Sequence, residues 1–159
     1  MTGKQKKPAE IGMQLVAQNR RARFDYSVEE TLEAGLSLVG SEVKDLRLGY
    51  ANLSEAYALP RDGEMFLLNA QIGQQRKVLT FAHAPTRNRK LLMHRHEIEK
   101  WTVKVNEKGY TIIPLRLYFK ESRAKIELAL CRGKTHEDRR SDIKERETKR
   151  EIDRAMRRR

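Results

Sequence analysis

The residues capable of chemistry are few and poorly spaced for it. His94 and His96 lie two apart, so a helix sends their rings in different directions and a strand puts them on one face. With one cysteine, Cys131, and no CxxC or HxxxH spacing, a zinc site has little to build on. Gly35-Leu36-Ser37-Leu38-Val39 has the outline of a nucleophile elbow, but Val39 stands where that turn requires a second glycine. Neither GxGxxG nor a P-loop occurs. Most carboxylates sit in mixed-charge runs that read as solvated faces. The sequence therefore predicts no catalytic centre and no metal or nucleotide cofactor.

Cationic and aromatic groups are what the chain concentrates. Asn19-Arg20-Arg21-Ala22-Arg23-Phe24-Asp25-Tyr26 packs three arginines and two aromatics into eight residues. A guanidinium donates in parallel to phosphate and stacks through its flat face, and an aromatic ring holds an unstacked base. The alternative is a linker whose rings dock on the domain. A second cluster, Pro85-Thr86-Arg87-Asn88-Arg89-Lys90, leads into the apolar Leu91-Leu92-Met93.

Over the 159 residues, 34 Lys and Arg against 22 Asp and Glu leave a net charge of +12. Such an excess predicts a polyanionic partner, because each phosphate neutralised releases condensed counterions. A membrane surface fits less well: there is no lipid-anchor motif, no long amphipathic apolar face, and no apolar run near the roughly 18 residues that span a bilayer. MTGKQKKPAE lacks the apolar stretch of a secretory signal, and a lone cysteine suits a reducing compartment, so the cytoplasm is expected.

Charge also divides the chain. Residues 1–10 carry +2 and nothing to bury, which predicts a flexible basic N-terminus. Residues 137–159 hold ten basic against seven acidic side chains, with only Ile143, Ile152, Ala155 and Met156 apolar. They cannot build a core, and should be unfolded or a solvated single helix when free. The i,i+4 pairs Asp142–Arg146 and Glu145–Lys149 support a helix by only about 0.2–0.5 kcal/mol each. Residues 11–136, carrying the remaining +7, must hold the globular domain.

That domain reads as mainly β, with strands at 32–39, 65–72, 110–119 and 124–130. Ala124, Ile126, Leu128 and Leu130 alternate against Lys125, Glu127 and Ala129. Pro114 marks a strand edge or bulge, Arg61-Asp62-Gly63 a turn, and Lys120-Glu121-Ser122-Arg123 a short hairpin loop. Ser41 can cap a short helix carrying Glu42 and ending at Gly49. A second helix, from about His94 to Val105, carries Ile98, Trp101 and Val105 as its apolar stripe, with Trp101 as a core plug or, less readily, a stacking platform. Short strands with two capping helices predict a small, partly open β-barrel.

The order of segments NRRARFDY, EAGLSLVGSEVKDLRLGYANL, PTRNRKLLM, EKGYTIIPLRLYF and SDIKERE closely resembles the small protein B (SmpB) family, the SsrA-binding proteins of bacterial trans-translation. The likeness runs from about Asn19 to Arg150. It implies a mainly β, oligonucleotide-binding (OB)-type barrel of α+β class with two or three flanking helices. The C-terminal tail would be disordered when free and helical when bound. It also implies a monomer binding the tRNA-like domain of transfer-messenger RNA (tmRNA, or SsrA RNA) one to one, and carrying it to ribosomes stalled on messages without a usable stop codon.

By motif, the tmRNA-contacting positions would be Glu33, Leu92 and Lys125, with Asn19, Arg20, Arg21 and Arg23 beside them; Arg87, Arg89 and Lys90 join them from the basic clusters. Counting charge would never choose Glu33 or Leu92. A carboxylate accepts from a base amino group and a leucine packs on a base or sugar; the alternatives are an arginine salt bridge for Glu33 and a core position for Leu92. The resemblance implies that the tail enters the empty mRNA channel and the decoding centre of the small subunit, against its rRNA. Gly133, Lys134, Asp138, Arg139 and Arg140 would lie at the decoding end, with Ile143, Lys144 and Arg146 following. The family pattern is broken at Glu137, where an aromatic or histidine usually precedes the Asp. Here the ring left for stacking is His136, one residue earlier.

Overall fold

A computed structural model describes residues 12–73, 83–107 and 109–157. The N-terminal ten residues, expected to be flexible, lie outside the described residues, as do the last two of the tail. In chain order the elements are β1 (Met13–Gln18), α1 (Ala22–Asp25), β2 (Tyr26–Leu36), α2 (Gly40–Arg47), β3 (Ala51–Asn52), β4 (Tyr57–Arg61), β5 (Glu64–Leu68), β6 (Gln71–Ile72), β7 (Arg89–Leu92), α3 (Arg95–Asn106), β8 (Tyr110–Lys120), β9 (Arg123–Gly133) and α4 (His136–Arg157).

Among the described residues all strand pairings are antiparallel. The ring runs β8-β4-β5-β7-β2-β9 and returns to β8, with β1 added along the free edge of β8. The ring closes between β4 and β8 through the single registered pair Ala58–Ile112, so the barrel is open along most of that seam. The long strands behave as their alternation predicts. Ala34 and Leu36 of β2 and Ile126, Leu128 and Leu130 of β9 point inward and are buried. The ladder shifts register between Pro114 and Arg116, a bulge where proline has no amide to donate.

Two tight hairpins set the registers. Asp62 and Gly63 between β4 and β5, and Glu121 and Ser122 between β8 and β9, all take positive φ, as a type I′ turn requires of both central residues. The expected strand at 65–72 is interrupted: Asn69, at φ 56°, turns the chain between β5 and β6.

Trp101 on α3 is fully buried among the inward side chains, with Ile98 of the same helix. The N-cap of α3 is His94, whose carbonyl accepts from the Glu97 amide at 3.0 Å while the Glu97 carboxylate accepts from the His94 amide at 3.2 Å. Ser41 does not cap α2. The helix starts two residues earlier, at Gly40, Val39 occupies the cap position without a side-chain bond, and the Ser41 hydroxyl meets the His83 ring at 2.8 Å. The tail forms α4, none of whose residues is buried. Among the described residues no helix is long and apolar enough to cross a membrane.

Among the described residues one carboxylate lies wholly inside. Glu42 of α2 is fully buried, as is Arg89 of β7. Arg89 Nε donates to Glu42 Oε2, and Arg87 Nε donates to Oε1 at 2.9 Å. The rest of the Arg89 fork donates to the carbonyls of Ala70 at 2.7 Å, Arg87 at 3.0 Å and Pro85 at 3.0 Å. Burial alone would push the Glu42 carboxyl up, yet the hydrogen bonds from Arg89 and Arg87 outweigh it and hold the group below the usual carboxylate range.

Glu42→Gln leaves Arg89 charged in the interior without its counter-ion. We expect a loss of about 3–5 kcal/mol at pH 7, read by urea denaturation. Because the folded-state pKa lies below the unfolded value of about 4.3, the carboxylate's contribution is complete above that pH and fades as pH falls through the folded value. The stability gap between wild type and variant should therefore narrow on acidification. A gap that is small at pH 7, or that widens in acid, would contradict this.

Candidate nucleic-acid interface

The outer wall of the barrel is organised in cross-strand rows. In one row Leu92 of β7 faces Gly35 of β2, Gly35 faces Lys125 of β9, and Lys125 faces Tyr118 of β8. In the next, Glu33 faces Glu127, which faces Arg116. Side chains alternate with a period of two, so the burial of Ala34, Ile126 and Leu91 turns Gly35, Lys125 and Leu92 outward.

Leu92 is not core: it is 54% exposed. It folds across Gly35, where an added Cβ would sit 3.2 Å from the leucine Cβ. Only glycine lets the leucine lie this close to the strand. Lys125 is partly exposed and makes no ion pair or hydrogen bond among the described residues, so its ammonium is available.

Glu33 is tied to a tyrosine and a lysine. Its Oε2 accepts from the Tyr118 hydroxyl and lies 3.7 Å from Lys120 Nζ. Burial, followed by the Glu33 carboxylate, pushes the Tyr118 hydroxyl above its ordinary range, so it stays a donor at physiological pH. Both contacts reach the same oxygen. The carboxylate is thereby held in one orientation on the wall, beside an exposed leucine and an unpaired lysine. Sequence reasoning missed Gly35, Tyr118 and Lys120 as partners of this group.

The second basic cluster turns largely into the fold. Arg89 is inside the protein with its donors consumed, so it presents nothing to a partner. Arg87 spends its guanidinium on Glu42. Lys90 alone is half-exposed on the wall, paired with Glu64 at 2.6 Å.

The Asn19–Arg23 stretch lies at the other end of the barrel. Tyr26 faces Gly133 and Gly35 faces Lys125 on the same ladder, nine residues of β2 apart, about 30 Å along the strand. Asn19 is buried and spends its side chain on the fold, donating to Leu53 O at 3.3 Å and accepting from the Ala22 amide at 3.2 Å. Its amide, expected among the RNA-contacting groups, is thus engaged within the fold. Arg20, Arg21 and Arg23 are exposed there, Arg21 lying 3.5 Å from Asp25.

The same end holds the root of the tail. Gly133 closes β9; the Lys134 amide donates to Asp25 O at 2.9 Å, and its ammonium donates to Arg23 O at 3.0 Å and to Asp142. Thr135 and Asp138 form a capping box: Thr135 N donates to Asp138 Oδ2 at 3.0 Å and Asp138 N to the Thr135 hydroxyl at 3.3 Å. Hydrogen bonds from the Thr135 hydroxyl and amide hold the Asp138 carboxyl below its usual range. Arg139 lies 3.9 Å from Asp25, and Arg146 stands 5.4 Å from the Phe24 ring. Asp142 thus pairs with Lys134 in place of the expected Arg146. His136, Arg140, Ile143 and Lys144 are exposed on α4. The structure therefore joins the arginine cluster to the tail and separates both from Glu33, Leu92 and Lys125.

Comparison with known proteins gives one consistent result. The family model described as SmpB protein matches residues 16–158. An SsrA-binding protein of Myxococcus xanthus (strain DK1622) is 69% identical over 151 residues, covering 95% of this chain and 93% of its own. Another, from Anaeromyxobacter sp. (strain K), is 58% identical over 150 residues, covering 94% and 92%. A solved structure described as "tmRNA-SmpB: a journey to the center of the bacterial ribosome" matches with a TM-score of 0.64 at 42% identity, over 80% of this chain and 94% of that one. The chain belongs to the SmpB protein family.

Proposed function

We propose that this chain binds the tRNA-like domain of tmRNA through the wall bearing Glu33, Leu92 and Lys125, and delivers it to stalled ribosomes in trans-translation. Relatives described as SsrA-binding proteins, and a similar chain described with tmRNA and the bacterial ribosome, support the partners. The observation that carries the wall assignment is the pair of neighbouring rows, in which an exposed leucine, an unpaired ammonium and a carboxylate oriented by Tyr118 share one surface. Such a mixture suits RNA read by shape: the lysine takes a phosphate, the carboxylate accepts from a base edge, and the leucine packs on a sugar or base.

The far end supports a separate task. Arg20, Arg21, Arg23, Arg140 and Lys144 display charge where α4 leaves the barrel, and α4 uses none of its surface for the core. This end suits rRNA phosphates at the decoding centre, with α4 continuing into the empty mRNA channel. His136, exposed at the first turn of α4, is the ring available for stacking there.

Two experiments divide the halves. Lys125→Ala should weaken tmRNA binding several-fold and reduce the salt slope by about one contact, whereas Leu92→Ala should weaken it at unchanged slope. Binding by both variants at wild-type strength would remove the wall assignment. Truncation after His136 should leave tmRNA affinity within about threefold and abolish tagging of stalled chains, since no residue of α4 is buried. Loss of tmRNA binding on truncation would contradict the division.

A further inference from the structure

The β4–β5 hairpin has an apolar outer face that the fold does not use. Ala58, Met65 and Leu67 point inward and are buried, so Leu59, Phe66 and Leu68 point out. Leu59 faces Phe66, and both help line a shallow cleft with Leu68, Arg61 and Asn88. Leu59 is 37% exposed, and Arg61 makes no ion pair or hydrogen bond among the described residues.

This cleft continues the wall. Phe66 faces Lys90 on β7, and Lys90 and Leu92 stand two apart on the outward side of that strand. The ring is therefore one strand from the row that ends at Leu92. Three apolar side chains are far less than the roughly 800 Å² per partner of a stable protein interface. A half-buried aromatic ring flanked by the unpaired Arg61 guanidinium, the Asn88 amide and the Glu64-paired Lys90 ammonium instead suits a single nucleotide, with its base against the ring and its phosphate by the guanidinium.

We propose that the outer face of the β4–β5 hairpin is a stacking subsite for an unpaired nucleotide of the RNA bound on the neighbouring wall. Phe66 supplies the platform, and Arg61 takes the adjoining phosphate. The inference rests on the wall assignment above and extends that footprint by two strands.

The test uses the full chain and a tmRNA transcript at two salt concentrations, with Lys125→Ala measured alongside. Phe66→Leu should weaken binding roughly 5- to 50-fold at unchanged salt slope, and Phe66→Trp should keep the affinity within about twofold. Arg61→Gln should flatten the slope by about one contact. In Phe66→Trp the new surface indole should be quenched as RNA saturates, a signal that a purely structural ring would not give; the native Trp101 is buried. If Phe66→Leu fails to fold, the Phe66→Trp quench and the Arg61→Gln slope still decide. Wild-type affinity for Phe66→Leu, or an unquenched Phe66→Trp indole on bound RNA, would overturn the subsite. Should Lys125→Ala weaken binding in that case, the wall assignment would stand without it.

Discussion

The surface of this protein depends on one buried charge. β7 is only four residues long, and it pairs with β2 and β5 through few rungs. What fixes its orientation is Arg89, held inside by Glu42 and three backbone carbonyls. With Arg89 and Leu91 inward, Lys90 and Leu92 must face out. A slip of one residue would expel the guanidinium from its only good partners and bury Leu92. Such a slip would remove a buried pair's compensation, which the interior does not tolerate. The same network ties α2 to the segment before β7, so a helix, a loop and a strand are set by one carboxylate.

Much of the wall was legible in the sequence. The alternation across 124–130 places Lys125 outward. The two-residue hairpin at Glu121 and Ser122 then puts Tyr118 opposite Lys125 by counting outward from the turn, so this partner was recoverable without coordinates. Pro114 announced its bulge. The row across β2 and β7 was not recoverable, because the segments 26–36 and 89–92 lie far apart in sequence and no turn links their registers.

Where side chains are engaged otherwise than the sequence suggests, the reasons are physical. Arg87 and Arg89 counted as surface charge because composition does not distinguish a solvated guanidinium from one inside a polar cage, and Arg89-Lys90-Leu91-Leu92 shows no apolar alternation. Glu42 looked like an ordinary first-turn acid favoured by the helix dipole. Asn19 sits in an arginine-rich run, yet its short amide serves the turn before α1. α1, four residues long, is too short to leave a periodic trace. Net charge pointed to the class of partner. It could not show that the wall proposed for RNA uses cations sparingly while the arginines gather at the root of α4.

Lysine acetylation footprinting of the full chain, with and without a tmRNA transcript, tests the central claim most directly. The account predicts that Lys125, Lys120 and Lys90 on the wall become protected when tmRNA binds, while Lys144 and Lys149 on α4 remain reactive. Protection of the α4 lysines with Lys125 left reactive would contradict it.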